Sequence, residues 1–311
     1  MKNLIKKVGA LIFCLTLFLF FHTLLPRFVI EMNNPVLRAG RTIFKPVPEL
    51  EPTQDKLTTF IGFEGVDITA NIKEPLDGNR RGSLLLIHGI AGNYRHYDPI
   101  VPKLNALGYQ TIAINLRSHG SSSGDYCTFG VKEHKDLKLI IDSLKASGLV
   151  SDNLGIWGHS LGGAVSLQVL ANEERLRFGI VESTFSDFQT IVNAYQENYM
   201  GFEFETMANY LCERACTLAD FTPEAASPKN IVGNIKQPIL LVHGDADKKI
   251  DIEHAHTNFA ALGSLNKKLH IQPGAGHDDL WLVGGEDYWQ LVAQFIVNQA
   301  PTTQDTDVSK G

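Results

Sequence analysis

The sequence predicts an α/β fold, a mainly parallel sheet with helices on both faces. Three observations predict it. Apolar runs of strand length alternate with stretches of helical spacing, the pattern of βαβ units. The run at 83–88 is apolar and stops at Gly89, as a strand buried on both faces does. The chain has 311 residues, 44% of them hydrophobic, enough for one large core without disulfide staples or a structural metal.

The elements follow in order. Residues 57–61 and 66–72 alternate and are β-branched around Gly62 and Gly65, which predicts a hairpin. After the strand at 83–88, helical spacing over 97–107 ends at Gly108, a C-cap. Residues 110–116 read as a strand. The stretch 131–146 is amphipathic, with Leu137, Ile140, Ile141 and Leu144 on one face, and ends at Gly148. Then come a strand at 154–158, a helix at 161–170 and a strand at 178–182. A strand at 238–243, a helix at 254–262, a strand at 268–272 and a helix at 288–298 close the set, for eight strands. The beat fails across 183–237, which carries Phe185, Phe188, Tyr195, Tyr199, Phe202, Phe204 and Tyr210 and reads as a helical insertion after a strand. Residues 31–56 hold four prolines and no period, a tether, and the polar residues 299–311 read as a flexible tail. The main globular domain is therefore expected over 57–298.

Composition excludes several classes. A chain so apolar, with 20% charged residues, is not disordered. Four cysteines make no disulfide scaffold, and a net charge of −6 leaves no footprint for nucleic acid. No phosphate loop or dinucleotide fingerprint occurs. Cys212 and Cys216 stand four apart on a predicted helix without further metal ligands at compatible spacing, so neither a metal nor a cofactor is expected. They are buried neighbours, a local disulfide, or one of them pairs with Cys127.

The N-terminus follows different rules. After Lys2, Lys6 and Lys7 an apolar run extends over 8–25, broken only by Thr16, His22 and Thr23. As a helix it rises about 27 Å, close to the hydrocarbon thickness of a bilayer. It is longer than the apolar region of a cleaved signal, and Leu-Pro-Arg-Phe follows it rather than a small-residue cleavage site. Residues 1–30 are read as an uncleaved single-span anchor, with a cleaved signal and a buried helix as alternatives. The three leading lysines favour a cytoplasmic N-terminus. The bulk of the chain then lies on the non-cytoplasmic side, which is the periplasm in a bacterium. Setting aside Lys2, Lys6, Lys7 and Arg27 leaves −10 on the rest, an acidic and soluble part.

The strongest local signal is Gly158-His159-Ser160-Leu161-Gly162, G-x-S-x-G where a strand ends and a helix begins. Small neighbours let the chain turn sharply and expose a nucleophile at a helix N-terminus. A serine hydroxyl needs a general base. Of eleven histidines, His22 lies in the apolar run, and His88, His159 and His243 sit beside motif glycines, where positioning is the expected role. His254 and His256 face different directions on one helix. His277 follows the last strand in a loop of small residues, where a ligand-facing side chain belongs in an open α/β sheet. Asp247, beyond the strand before it, is the expected orienting acid, with Asp245 the competitor. The oxyanion donors are expected to be the Leu161 amide and that of Ile90, with Ala91 the alternative, in the turn after residue 88.

These pieces, with Leu116-Arg117-Ser118-His119-Gly120-Ser121, resemble the α/β-hydrolase superfamily over about 57–298. Tyr126-Cys127-Thr128-Phe129-Gly130 and Val181-Glu182-Ser183-Thr184-Phe185 resemble its serine aminopeptidase-like and dipeptidyl aminopeptidase/acylaminoacyl peptidase-like branch. That branch usually has Asp-x-Arg-Gly-His-Gly after the fourth strand; here Asn115 replaces the Asp and Ser118 the first Gly. The resemblance implies an eight-stranded α/β-hydrolase fold and a serine hydrolase cleaving a carboxylic ester, thioester or small amide of an acyl or peptidyl substrate. It also implies that the insertion at 183–237 is a helical lid, whose aromatics either line an acyl-binding wall or pack the lid on the core. A serine aminopeptidase-type peptidase and a catalytically silent binding protein are the alternatives.

Overall fold

Strand side chains alternate between two cores. In β3 (Gly82–Ile87), Leu84 and Leu86 enter one core and Leu85 and Ile87 the other. The same alternation runs through β6 (Leu176–Glu182) and β7 (Ile239–Gly244): Phe178, Ile180, Leu240 and Val242 go to the first core, Val181, Ile239 and Leu241 to the second. A sheet apolar on both faces must be covered on both. α2 (Val101–Ala106) and α8 (Leu280–Asn298) cover the first face with Leu104, Val292 and Ile296. α3 (Glu133–Ala146) and α4 (Leu161–Asn172) cover the second with Leu137, Ile141 and Val165.

The structure is a computed structural model that describes residues 12–35, 37, 55–200 and 205–299. The remaining strands are β1 (Thr58–Ile61), β2 (Asp67–Lys73), β4 (Tyr109–Ile114), β5 (Leu154–His159) and β8 (Lys267–Gln272). The eight lie in the order β1-β2-β4-β3-β5-β6-β7-β8. β1 pairs antiparallel with β2 and β2 with β4, so the hairpin makes one edge of the sheet antiparallel. Every pairing from β4 onward is parallel. The insertion contains α5 (Phe188–Met200) and α6 (Glu205–Ala219), and α7 (Glu253–Ala261) follows β7.

Two helices differ from expectation. The stretch predicted helical over 97–107 opens as a 3-10 turn, Tyr94–Tyr97, and is α-helical only from Val101. Pro102 has no N–H to give, so it belongs in a first turn. The final helix starts at Leu280, not 288, and Gly285 at φ +52° divides it. Gly284 and Gly285 argue against a helix on propensity, and the burial of Leu280 and Tyr288 overrides them.

α1 (Ile12–Ile30) is long and apolar enough to cross a membrane, with a mean hydropathy of 1.9. Residues 12–24 are largely exposed, whereas Ile30 is buried in the second core. The start of the expected tether also lies against the domain. Cys127 N donates to Ile30 O at 2.8 Å, Met32 N to Ser118 Oγ at 3.1 Å and Asn33 Nδ2 to Ser122 O at 3.1 Å. The rest of the tether at 36 and 38–54, and the tail from 300, fall outside the described residues. Cys14, Cys127, Cys212 and Cys216 are free thiols, so the pairings left open by their spacing are not formed.

Ser118 and Asn115, the two departures from the family pattern, have work to do. Ser118 takes the left-handed conformation that a glycine would take, at φ +60°. Its hydroxyl is the acceptor that holds Met32, and it donates to Asp125 O at 3.1 Å. Asn115 Oδ1 accepts from Tyr94 N at 2.8 Å, while its Nδ2 donates to Thr69 Oγ1 at 2.8 Å. An Asp there would lack that second donor.

Behind this turn lies a buried ion pair. Arg117 Nε and Nη2 donate to Asp136 Oδ2 and Oδ1 at 2.7 and 2.8 Å, with both side chains 4% exposed. Phe63 N also donates to Asp136 Oδ1 at 2.8 Å. Replacing Asp136 with Ala leaves the buried guanidinium only the half-exposed Glu64 carboxylate, 3.5 Å away, and the Phe63 carbonyl, and is expected to cost about 3–5 kcal/mol. Urea denaturation measures this as a lower midpoint at unchanged slope. A loss below about 1 kcal/mol is what an exposed pair would give and would contradict the burial argument.

Candidate active site

Ser160 stands between β5 and α4 at φ 56°, ψ −119°. A non-glycine residue rarely adopts this conformation, so its surroundings must hold it. Ser160 N donates to Glu182 O at 2.8 Å, and Ser160 O accepts from Gly163 N at 2.9 Å and Thr184 Oγ1 at 2.8 Å. The motif glycines make the turn possible by contact. A Cβ on Gly158 would lie 2.1 Å from Gly162 O, and one on Gly162 would lie 2.0 Å from Ile87 O. Helix and strands approach too closely here for any side chain.

The structure brings the three predicted side chains into one chain of hydrogen bonds. Ser160 Oγ lies 2.9 Å from His277 Nε2, and His277 Nδ1 lies 2.8 Å from Asp247 Oδ2. A carboxylate only accepts, so Nδ1 carries the hydrogen and Nε2 offers its lone pair to the serine hydroxyl. The Asp247 side chain is fully buried. Burial alone would raise its pKa. The His277 bond and the amides of Ile250 and Lys249 outweigh burial and hold it below the usual carboxylate value. The competitor Asp245 does not reach His277; its Oδ1 accepts from Gly274 N at 2.7 Å and closes the loop that carries His277.

The turn after β3 abuts the serine: a Cβ built on Gly89 would lie 3.3 Å from Ser160 Cβ. His88 fixes this turn. Its Nε2 accepts from Leu116 N at 3.1 Å, so its Nδ1–H donates to Gly89 O at 2.7 Å. Burial holds the His88 pKa well below the ordinary value, and the ring stays neutral, as this bonding requires. Ile90 follows in the turn, Ala91 takes φ +56°, and Leu161 opens α4. His243 also positions a backbone, with Nε2 2.9 Å from Ile250 O beside Asp247. The insertion aromatics Phe185 and Phe188 are buried against Phe129, with ring centroids 6.5 and 4.4 Å away, so these two pack rather than line a wall. Phe202 and Phe204, and the side chain of Tyr199, fall outside the described residues.

Sequence reasoning missed a second polar group behind the serine. Glu182, at the end of β6, is buried, and its Oε1 accepts from Trp281 Nε1 at 2.8 Å and from the Tyr288 hydroxyl. Its Oε2 lies 3.8 Å from His159 Nδ1, and the Trp157 indole N–H is a further donor to the carboxyl. The His159 ring lies between those of His96 and His277, with centroids 5.0 and 5.1 Å away. These residues come from four separate elements, and no spacing announces them.

An eight-stranded, mainly parallel sheet, with a strained serine in a glycine-lined turn after a central strand, defines the α/β-hydrolase superfamily. Residues 95–298 match the prolyl oligopeptidase family, and the chain belongs to it. Among its relatives are protein bem46 of Schizosaccharomyces pombe, 28% identical over 220 residues covering 70% of this chain and 67% of that one, and the α/β hydrolase domain-containing protein WAV2 of Arabidopsis thaliana, 24% identical over 240 residues covering 74% and 75%. An esterase of Pyrococcus furiosus shares the fold with a TM-score of 0.68 at 21% identity, covering 82% of this chain and 96% of that one.

Burial pushes the Glu182 carboxyl up to about 7. The unfolded chain ionises this group first, so the stability it contributes is fully present below the ordinary carboxyl pKa and is lost as pH rises through about 7. Glutamine keeps the acceptor for Trp281 and Tyr288 but cannot ionise. The melting temperature of Glu182→Gln relative to the unchanged protein should therefore rise between about pH 5 and about pH 8. A difference independent of pH would mean that Glu182 titrates normally.

Proposed function

We propose that the protein is a serine hydrolase that cleaves a carboxylic ester, thioester or small amide through an acyl-enzyme. The observation that carries this reading is the unbroken chain Ser160 Oγ–His277 Nε2, His277 Nδ1–Asp247 Oδ2, at 2.9 and 2.8 Å. Ser160 Oγ attacks the substrate carbonyl carbon while His277 Nε2 takes the hydroxyl proton. Asp247 fixes the imidazole tautomer and stabilises the imidazolium. The amides of Leu161 and Ile90 receive the oxyanion; each such donor is worth about 3–4 kcal/mol in the transition state. His277 returns the proton to the leaving group, and water activated by the same base releases the acyl group.

The family match supports a second reading of the substrate, a peptidyl amide. A p-nitrophenyl ester series set against aminoacyl amides decides between them by kcat/KM.

We assign α1 as a single-span anchor with the catalytic domain on the non-cytoplasmic side. The exposed apolar surface of 12–24 and the three lysines before it support this. His22 Nδ1, on this helix, lies 2.6 Å from the hydroxyl of Tyr210 on α6, so the span runs beside the insertion.

Ser160→Ala and His277→Ala should each abolish ester hydrolysis, and the double variant should be little worse than either, since the two act as one unit. Labelling by a fluorophosphonate probe should vanish with Ser160→Ala. Near-normal turnover by Ser160→Ala would sink the reading. Asp247→Asn should lower kcat by roughly 10⁴ by favouring the wrong tautomer, while Asp245→Asn keeps most activity; the reverse result would reassign the acid.

The full chain should stay with membranes through a high-salt wash, because salt releases only electrostatic attachment. Protease added to intact spheroplasts of a bacterial host should digest the domain; protection of the domain would overturn the topology. Because Ile30 and Met32 are core residues, removal of residues 1–24 should leave a folded enzyme, and removal of residues 1–32 should lower its melting temperature.

A further inference from the structure

Three groups able to bind a metal ion converge beside Ser160. His159, His277 and Asp278 each offer a ligand atom, all within 4.8 Å of one another. His159 Nε2 lies 3.8 Å from Asp278 Oδ1, and the two imidazole centroids are 5.1 Å apart. The histidines are buried, while the Asp278 side chain is 57% exposed and opens the group to solvent.

Independent observations say how the lone pairs point. Each imidazole has a carboxylate behind it. Asp247 Oδ2 accepts from His277 Nδ1 at 2.8 Å. Glu182 Oε2, buried, lies 3.8 Å from His159 Nδ1. His277 Nε2 thus offers its lone pair beside Ser160, and His159 Nε2 faces Asp278 Oδ1 at 3.8 Å. A carboxylate that fixes the far nitrogen is the usual support of a metal-binding histidine. Lys249 Nζ bonds Asp278 Oδ2, and Oδ1 faces the histidine side.

We propose that His159 Nε2, His277 Nε2 and Asp278 Oδ1 form an inhibitory site for zinc or a similar borderline transition-metal ion. Two imidazole nitrogens and one carboxylate oxygen suit zinc, whereas calcium and magnesium want oxygen ligands throughout. Bonds of about 2.1 Å to a tetrahedral ion set ligand atoms roughly 3.4 Å apart. The His159–Asp278 pair is already near that spacing at 3.8 Å, and the group closes on the ion by rotation of the half-exposed Asp278 and small shifts of the two rings. A water or the Ser160 hydroxyl takes the fourth position. The ion occupies the lone pair that otherwise accepts the Ser160 proton, so the base is lost and no covalent bond of the protein changes. The inhibitory effect rests on the serine hydrolase reading; the binding of the ion rests on the ligand set alone.

The test uses the full chain in detergent. Zinc chloride titrated into p-nitrophenyl ester hydrolysis should inhibit it saturably, a chelator should restore it, and magnesium at the same concentration should do nothing. Asp278→Asn and His159→Gln should each raise the half-inhibiting zinc concentration at least about tenfold, read against each variant's own zinc-free rate. A second arm needs no activity. Cobalt(II) added to Ser160→Ala protein should give the visible absorption of a four-coordinate ion, and added Asp278→Asn should abolish it. Zinc inhibition equal in both variants, or no such cobalt spectrum, overturns the site. Failure of the zinc-free protein to hydrolyse any ester overturns the hydrolase reading instead, and the cobalt spectrum still decides the metal site.

Discussion

The backbone of Ser160 is the constraint on which the rest depends. A serine at φ 56° is unfavourable by itself, of order 1–3 kcal/mol. It persists because β5, α4 and β3 come together with no side chain between them, and because Glu182 O, Gly163 N and Thr184 Oγ1 bond its backbone. This pinched turn needs the parallel sheet on both sides. It also places the side chain at the sheet's carboxyl edge, where the loops bearing Asp247 and His277 end.

Much of this was legible in the residues. The alternation of apolar runs and helical stretches yields all eight strands, because a sheet covered on both faces leaves few polar positions within them. Ser160 and His277 stand out because small residues surround them, and glycine-rich strand ends have few structural reasons to exist. Asp247 was separable from Asp245 only by geometry: both lie in one loop, and only Asp247 reaches the imidazole, while Asp245 bonds Gly274 N. Other features leave no periodic trace. The docking of Ile30 to Asn33 lies at the edge of a proline-rich stretch and shows in the structure as burial of Ile30 and Met32 and as hydrogen bonds to the turn at Ser118–Ser122 and to Cys127. The early start of α8 runs against the propensity of Gly284 and Gly285 and is decided by tertiary burial.

The N-terminal segment is more than an attachment to the fold. Its last turn contributes Ile30 to the core, and Met32 is held by the serine that replaces the family's glycine. The same segment touches the insertion through His22 and Tyr210. One helix therefore links the exposed apolar surface of the N-terminus, the turn after β4 and the insertion.

The carboxylate of Glu182 bears on the order of assembly during synthesis. It sits on the strand next to the one that ends at Ser160, yet its donors come from Trp281 and Tyr288, the latter 106 residues later in the chain. His277 also belongs to this later portion. When the ribosome has delivered the serine turn, the buried acid beside it still lacks these donors, and Ser160 Oγ still lacks its His277 partner. The polar cluster around the serine turn thus closes only when the segment from His277 through α8 docks.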